Sequence, residues 1–170
     1  MLVYDAAYSE YINNNDYIDG SSLVDNYENV IMLRTFSKLH GLASLRLGWG
    51  YCSENILSNL MKVRGPFSVN TAAMLAGIAA IKDIEFQEKS VSHNLEWMRW
   101  FEKKLKLLNL EFQKSVTNFL LIKFPKESLY SAQNAEKFLA EKGILVRGMN
   151  AYSLPDYLRV SIGNEEENIT

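Results

Sequence analysis

The chain has 170 residues, 48% of them hydrophobic, and a formal net charge of −2. This length and composition predict one packed domain, or one domain with part of a second, and they argue against a disordered chain. The cations are scattered along the sequence, which argues against a nucleic-acid-binding protein, and the single cysteine, Cys52, provides neither an internal disulfide nor a set of metal ligands.

The sequence gives no sign of a membrane segment or a secretion signal. No run approaches the roughly 20 apolar residues of a membrane span, and residues 1–10 lack the basic start and apolar core of a signal peptide. We therefore expect no membrane or nucleic-acid partner, no metal, and a reducing, cytoplasmic compartment. Because the sequence starts within an apolar strand and stops in the first turn of a helix, we also expect a fragment of a longer chain.

The beginning of the sequence predicts a parallel sheet. Residues 2–4 form a short apolar run closed by Asp5, and residues 30–33 form a second buried strand. The separation of about 30 residues suits a crossover unit. Residues 41–53 predict a third strand with side chains of alternating size.

A short helix is predicted between the first two strands. It follows a polar segment rich in turn residues, residues 9–20. Ser21 or Ser22 is the expected N-cap, because Ser22 and Asp25 have the spacing of a capping box, and the helix should end near Tyr27.

Three further helices are predicted. Residues 54–63 carry apolar side chains at helical spacing, and residues 71–81 form an alanine-rich helix. From Asp83 to about residue 108 the apolar positions trace one stripe, which indicates a single long helix. Trp97 and Trp100 widen the buried face of that helix.

The pattern changes after Asn109, where strands begin to alternate with one helix. Such alternation indicates a small α+β domain. We place the boundary so that residues 1–109 form the first domain and residues 110–170 the second. The predicted elements of the second domain are strands at 119–122, 144–146 and 158–162 and a helix at 135–142.

An amine and a carboxylate follow the first two strands. Asp5 lies at the tip of the first strand and Lys38 just past the second, where parallel sheets bind their ligands. A lysine can form a Schiff base with an aldehyde, and a carboxylate can keep a pyridine nitrogen protonated, so the pair suits pyridoxal 5'-phosphate. Tyr8, three residues after Asp5, can hydrogen-bond the phenolic oxygen of that cofactor.

A phosphate clamp can be built from the residues around Lys38. Thr35 and Ser37 offer two hydroxyls, and Arg46 offers a planar guanidinium that meets phosphate oxygens in pairs. A solvated surface lysine and a strand arginine in a salt bridge are the alternative interpretations of Lys38 and Arg46 taken singly.

Four separated motifs resemble the fold-type I aminotransferases of class I/II, and among these the histidinol-phosphate aminotransferases. The resemblance extends from about Leu2 to Asn168. Its motifs are Asp5-Ala6-Ala7-Tyr8, Thr35-Phe36-Ser37-Lys38, the run from Gly41 through Leu45-Arg46 to Gly48, and Leu158-Arg159-Val160-Ser161-Ile162-Gly163.

The resemblance implies a role for each matching residue. Lys38 would be the catalytic Schiff-base lysine, and Arg159 would bind the substrate carboxylate. Arg147, which follows Gly143-Ile-Leu-Val, matches a family arginine near the substrate. The remaining implied cofactor contacts are Asp5 to the pyridine nitrogen, Tyr8 to the phenolic oxygen, and Thr35, Ser37 and Arg46 to the phosphate.

The resemblance also implies a fold and a reaction. The fold class is α/β: part of a three-layer pyridoxal-phosphate transferase large domain, residues 1–109, with a small α+β domain, residues 110–170. The reaction is transamination from an amino acid, expected to be glutamate, to a 2-oxo acceptor such as imidazole acetol-phosphate in histidine biosynthesis. Family members are homodimers, so we expect a homodimer of the full chain.

The sequence also departs from the family pattern. Ala6 stands where a glutamate is common, and His40 stands where an aromatic ring is common. A complete member is about twice as long, and its earlier half supplies a glycine loop and a stacking ring for the cofactor. Two alternatives therefore stay open: another class I/II aminotransferase or a related pyridoxal-phosphate decarboxylase, and a truncated or split-gene domain without activity of its own.

Overall fold

A computed structural model describes residues 1–12, 14, 16–126 and 129–170. The described chain forms two compact units, Met1–Val91 and Ser92–Thr170. The division falls within a long helix. The predicted domain boundary after residue 109 stays a prediction. Part of the predicted turn-rich segment, at Asn13 and Asn15, lies outside the described residues.

The first unit is built on a three-stranded sheet in the order β1-β2-β3. Its strands are β1 (Leu2–Asp5), β2 (Val30–Thr35) and β3 (Gly48–Cys52). β1 and β2 are parallel, with Asp5 opposite Leu33, which agrees with the predicted crossover. β2 and β3 are antiparallel. The carboxyl ends of β1 and β2 therefore lie at the same edge of the sheet.

The third strand is shorter than predicted. Residues 41–47 form a loop that contains the 3₁₀ turn Ala43–Leu45 and only then enter β3. The loop closes because the Phe36 N–H donates to Leu47 O at 3.1 Å and the Leu42 N–H to Phe36 O at 2.9 Å. Sequence alternation could not reveal these tertiary bonds.

The helices of the first unit follow the predicted order. They are α1 (Ser21–Asn26), α2 (Glu54–Val63), α3 (Thr71–Lys82) and the start of α4 (Ile84–Leu107), so the single long helix is confirmed. α1 packs on one face of the sheet, where Val24 joins Ala6, Val30 and Met32 in a buried cluster.

The predicted cap of α1 is wrong. The N-cap is Gly20, in the left-handed region at φ 90°, and no side chain caps the helix. Ser21 instead donates its hydroxyl and its N–H to Asp19 Oδ1 at 2.6 and 3.0 Å, and Asp25 accepts a hydrogen bond from the Tyr51 hydroxyl. These tertiary and local partners outcompete the capping box.

The second unit contains an antiparallel four-stranded sheet in the order β4-β5-β7-β6. β5 (Phe119–Lys123) and β7 (Tyr157–Ser161) match predicted strands. Alternate residues of β5 face α4, where Leu120 and Ile122 join Met98 and Leu105 in a buried cluster. The alternation of side chains along β5 therefore directs every second residue of that strand into the core of this unit.

The edge strands differ from prediction. β4 (Glu111–Gln113) was not predicted, and β6 is the pair Arg147–Gly148 rather than residues 144–146. Ile144 instead donates its N–H to Leu139 O at 2.9 Å and so helps to end α5 (Ala132–Glu141), which begins three residues before its predicted start. The chain ends in α6 (Glu165–Ile169), capped by Asn164 through a capping box. Within the described ranges, no helix has the length and apolar character needed to cross a bilayer.

One ionic network ties the segment between β1 and α1 to the end of β2. The guanidinium of Arg34 binds Glu10 Oε1 at 3.0 Å and Asp19 Oδ2 at 2.9 Å. Its side chain is only 12% exposed, and its Cζ lies 5.9 Å from the centroid of the Trp49 ring. We call Arg34, Glu10 and Asp19 the Arg34 network.

Gly20→Ala should destabilise the chain by about 1–3 kcal/mol, since a left-handed backbone and a crowded Cβ act together. A Cβ at Gly20 would lie 2.6 Å from the Tyr4 ring. Urea denaturation followed by circular dichroism measures the loss. Gly65→Ala is the matched control, because a Cβ there meets nothing within 4 Å. Equal stability of the two variants would contradict the role given to the left-handed backbone and the crowded Cβ at Gly20.

Ser21→Ala should raise the pKa of the Asp19 carboxyl. Hydrogen bonds from Ser21, followed in size by the attraction of Arg34, hold that pKa below its usual value of 3.8. A lowered pKa stabilises the fold above the unfolded-state value, and this contribution is lost as the pH falls through the folded-state value. An NMR titration of the Asp19 carboxyl carbon reports the change. Ser58→Ala, at an exposed serine of α2, should leave the curve unmoved.

Candidate active site

The carboxyl edge of β1 and β2 gathers the predicted cofactor residues of the first unit. Asp5 ends β1, is exposed, and accepts the Ala7 N–H at 3.1 Å. Because β1 and β2 run in the same direction, the residues that follow Thr35 emerge at the same edge as Asp5. The crossover thus places a carboxylate beside the segment that carries Lys38.

Lys38 is held on a loop with two buried anchors. Phe36 and Leu39 are 6% and 4% exposed, while Lys38 between them is half-buried. The Gly41 N–H donates to Lys38 O at 3.0 Å and tightens the turn. The Lys38 Nζ lies 5.1 Å from the centroid of the Tyr8 ring, so the structure brings these two predicted residues together.

Thr35 is the last residue of β2, and Ser37 and Arg46 lie on the loop that follows it and leads to β3. The Ser37 N–H donates to Thr35 Oγ1 at 3.0 Å, and Thr35 is paired across the sheet with Gly48, two residues after Arg46. Arg46 has a left-handed backbone at φ 53°, is exposed, and donates from Nη1 to Ala43 O at 2.8 Å. The two hydroxyls therefore lie where this loop begins and the guanidinium near where it ends, and an anion can reach the guanidinium from solvent.

The motif glycine at position 48 has a steric reason. A Cβ there would lie 2.8 Å from Arg34 O, closer than side chains approach a backbone. Only glycine lets β3 enter beside β2 at this point. The sequence motif is thus partly a requirement of strand pairing.

Arg147 and Arg159 meet in the second unit. They stand directly opposite each other on β6 and β7. The Arg159 Cζ lies 5.0 Å from the Phe119 ring centroid, and within the described residues its buried Nε has no hydrogen-bond partner. Arg147 donates from Nη2 to the Tyr152 hydroxyl at 3.2 Å. Like charges placed opposite each other in a sheet are unfavourable, so this pair suits a bound anion.

A groove of about 1160 Å³ in the second unit includes both arginines in its walls. The rest of the lining is mostly apolar and comes from α4, α5, β7, the segment 143–146 and the C-terminal residues. An anionic group could therefore bind at the arginines with an apolar surface nearby.

Several polar residues near the predicted site residues do not belong to any of the four sequence motifs. Neither Arg34 nor Glu10 belongs to a predicted site, although a charged residue directly before Thr35, at the end of a buried strand, is a signal that the sequence offers. Tyr152, the partner of Arg147, carried no signal, because it lies on a 3₁₀ turn whose position only the tertiary structure fixes. The His40 ring packs on the Phe36 ring, with 5.0 Å between the two ring centroids.

The chain matches the family model "Aminotransferase class I and II" over residues 1–170. Histidinol-phosphate aminotransferases of Paramagnetospirillum magneticum and Maricaulis maris are 48% and 46% identical to it over 168 residues. In both comparisons the match covers 99% of this chain and 46% of the relative. The chain thus spans about half the length of these curated relatives.

A solved structure shows the same fold. The histidinol-phosphate aminotransferase of Sinorhizobium meliloti, in complex with pyridoxal-5'-phosphate, superimposes with a TM-score of 0.88 at 26% identity. The match covers 99% of this chain and 46% of that structure. The fold class predicted from the motifs is confirmed, and the chain belongs to the class I and II aminotransferase family.

Proposed function

We propose that this chain supplies part of the active site of a pyridoxal-phosphate-dependent aminotransferase. The single observation that carries the proposal is the Lys38 amine over the Tyr8 ring, at the sheet edge where Asp5 ends β1. The proposed reaction of the complete enzyme is that of histidinol-phosphate aminotransferase, with glutamate as donor and imidazole acetol-phosphate as acceptor. Relatives of that name at 46–48% identity support this choice.

The donor set of the first unit fits pyridoxal 5'-phosphate. Asp5 would hold the pyridine nitrogen and Tyr8 the phenolic oxygen, while Thr35, Ser37 and Arg46 would hold the phosphate. The Lys38 amine suits the cofactor aldehyde, and the Asp5 carboxylate suits its ring nitrogen. The hydroxyls of Thr35 and Ser37 and the guanidinium of Arg46 suit its phosphate. When bound, the cofactor supplies an electrophilic carbonyl and a ring that accepts electrons.

Lys38 is the proposed catalytic residue. Its Nζ would attach the cofactor and then accept and return the substrate α-proton as general base and acid. The face of the Tyr8 ring orients the amine, since a cation is attracted to the centre of an aromatic face. The buried anchors Phe36 and Leu39 keep the backbone of Lys38 fixed while its side chain moves the proton.

Arg159 is the proposed substrate anchor, with Arg147 as its neighbour. The guanidinium of Arg159 can bind a carboxylate or a phosphate oxygen pair, and Phe119 supports it from the side. An anion also relieves the repulsion between the two arginines across β6 and β7. One site of this kind would serve both a carboxylate donor and a phosphorylated acceptor.

A homodimer and a cytoplasmic compartment complete the proposal. α2 has apolar residues along one face and no buried residue, and Leu57, Met61 and Phe67 are 51%, 50% and 96% exposed. A second copy of the complete enzyme would cover such a surface. The single cysteine, Cys52, is compatible with a reducing compartment.

Cofactor labelling tests the role of Lys38. We expect pyridoxal phosphate, fixed to the 170-residue chain by borohydride reduction, to concentrate on the Lys38 peptide, as mapped by mass spectrometry. Lys38→Ala should abolish the visible absorbance and most of the label. Lys62→Ala, at an exposed lysine of α2, is the control and should change neither. Label spread evenly over surface lysines would instead support a domain without activity of its own.

Anion binding tests the arginine pair. We expect inorganic phosphate to raise the unfolding temperature of the second unit relative to chloride at equal ionic strength, because a ligand of the native state stabilises it by mass action. Arg159→Gln should remove the difference. Arg99→Gln, an exposed arginine of α4, should retain it. A phosphate effect of equal size in both variants would rule out Arg159 as the anchor. Differential scanning calorimetry measures all three proteins.

A further inference from the structure

The Arg34 network joins two chain segments through one guanidinium. Nη1 of Arg34 contacts Glu10, and Nη2 contacts Asp19. The side chains of Arg34 and Glu10 are 12% and 22% exposed, so these two charges are largely removed from water. A planar fork that serves two carboxylates fixes the segment between β1 and α1 against β2 in one orientation.

Each joined segment carries one member of the Lys38–Tyr8 pair. Glu10 lies in the 3₁₀ turn Ser9–Tyr11, directly after Tyr8. Arg34 is the last residue but one of β2, and the chain continues from it through Thr35 to Lys38. Ser9 and Tyr11 are buried and hold the backbone of the turn, while Glu10 between them ties that turn to β2.

Stability alone does not account for this arrangement. Within the described residues, Arg34 Nε and Glu10 Oε2 are buried and lack hydrogen-bond partners. Partly unsatisfied buried ion pairs contribute little net stability, and apolar side chains of similar volume often serve better. A buried pair can instead select one geometry, because its charges tolerate few alternative arrangements.

We propose that Arg34 is a positioning residue that, through Glu10, holds the Tyr8 ring against the Lys38 amine. The inference rests on the proposed function in one respect, since it matters for catalysis only if Lys38 is the reacting amine. The ion pairs of Arg34 are with Glu10 and Asp19. Its effect passes through the turn that follows Tyr8 and through the end of β2.

The experiment reads the surroundings of Lys38 without any cofactor. The lysines of the full 170-residue chain are reductively methylated with ¹³C-formaldehyde, and the Lys38 signal is assigned by its loss in Lys38→Arg. We expect the Tyr8 ring current to displace this signal, and Tyr8→Leu to remove the displacement. Arg34→Met and Glu10→Gln should remove most of it. Arg34→Lys should give an intermediate value, because an ammonium lacks the fork that engages both carboxylates.

Two controls separate positioning from a general loss of structure. Val30→Ala trims the buried core at the opposite end of β2 and should leave the Lys38 signal displaced. The Lys104 Nζ lies 5.1 Å from the Trp100 ring centroid, the same separation as in the Lys38–Tyr8 pair, so its signal should stay constant in every variant. If Arg34→Met does not fold, Glu10→Gln provides the same test at a more exposed side chain.

The proposal is overturned if Arg34→Met and Glu10→Gln fold and leave the Lys38 signal in place. It is also overturned if Val30→Ala moves that signal as far as they do. Failure of the proposed function has a different signature: the wild-type chain would not label on Lys38, whatever the NMR result. A wild-type chain that labels on Lys38 but shows no response to Arg34 would retain the function and reject the positioning role.

Discussion

The parallel pairing of β1 with β2 is the constraint on which the candidate site depends. It sets the carboxylate of Asp5 at the same edge as the chain that leads to Lys38. A parallel pair needs a crossover connection, and here the connection supplies the helix α1, which buries Val24 against Val30 and Met32. The apolar core under α1 therefore holds together the two strands whose ends carry Asp5 and lead to Lys38.

The loop after β2 converts this edge into a site. Phe36 and Leu39 bury their side chains on either side of Lys38, and the antiparallel return through β3 brings the Arg46 loop back beside Thr35. The backbone hydrogen bonds between β2 and β3 thus bring the segment with Arg46 near the segment with Thr35. In the second unit the strand register alone brings two site residues together, since the pairing of β6 with β7 sets Arg147 opposite Arg159.

Sequence reasoning recovered most of the long elements but misplaced short ones. The apolar stripe of α4 and the alternation of β5 are local patterns with many repeats, so their positions were predictable. The N-cap of α1 and the position of β6 were predicted wrongly, because Asp19 takes the Ser21 hydrogen bonds and β7 pairs with Arg147–Gly148. In each case a few specific hydrogen bonds, local at Asp19 and tertiary at β7, outweigh a weak preference of the sequence.

The sequence by itself determined the chemical inventory: a lysine, an aspartate, two hydroxyls and the arginines, in an order that resembles one family. Residue types and their order are properties of the covalent chain, so they can be read without knowing how the chain packs. Only the tertiary structure decided which groups meet, namely Lys38 with Tyr8, Arg147 with Tyr152, and Arg34 with both Glu10 and Asp19. These contacts join residues that lie up to 30 positions apart, so they depend on the burial and strand pairing that fold the chain.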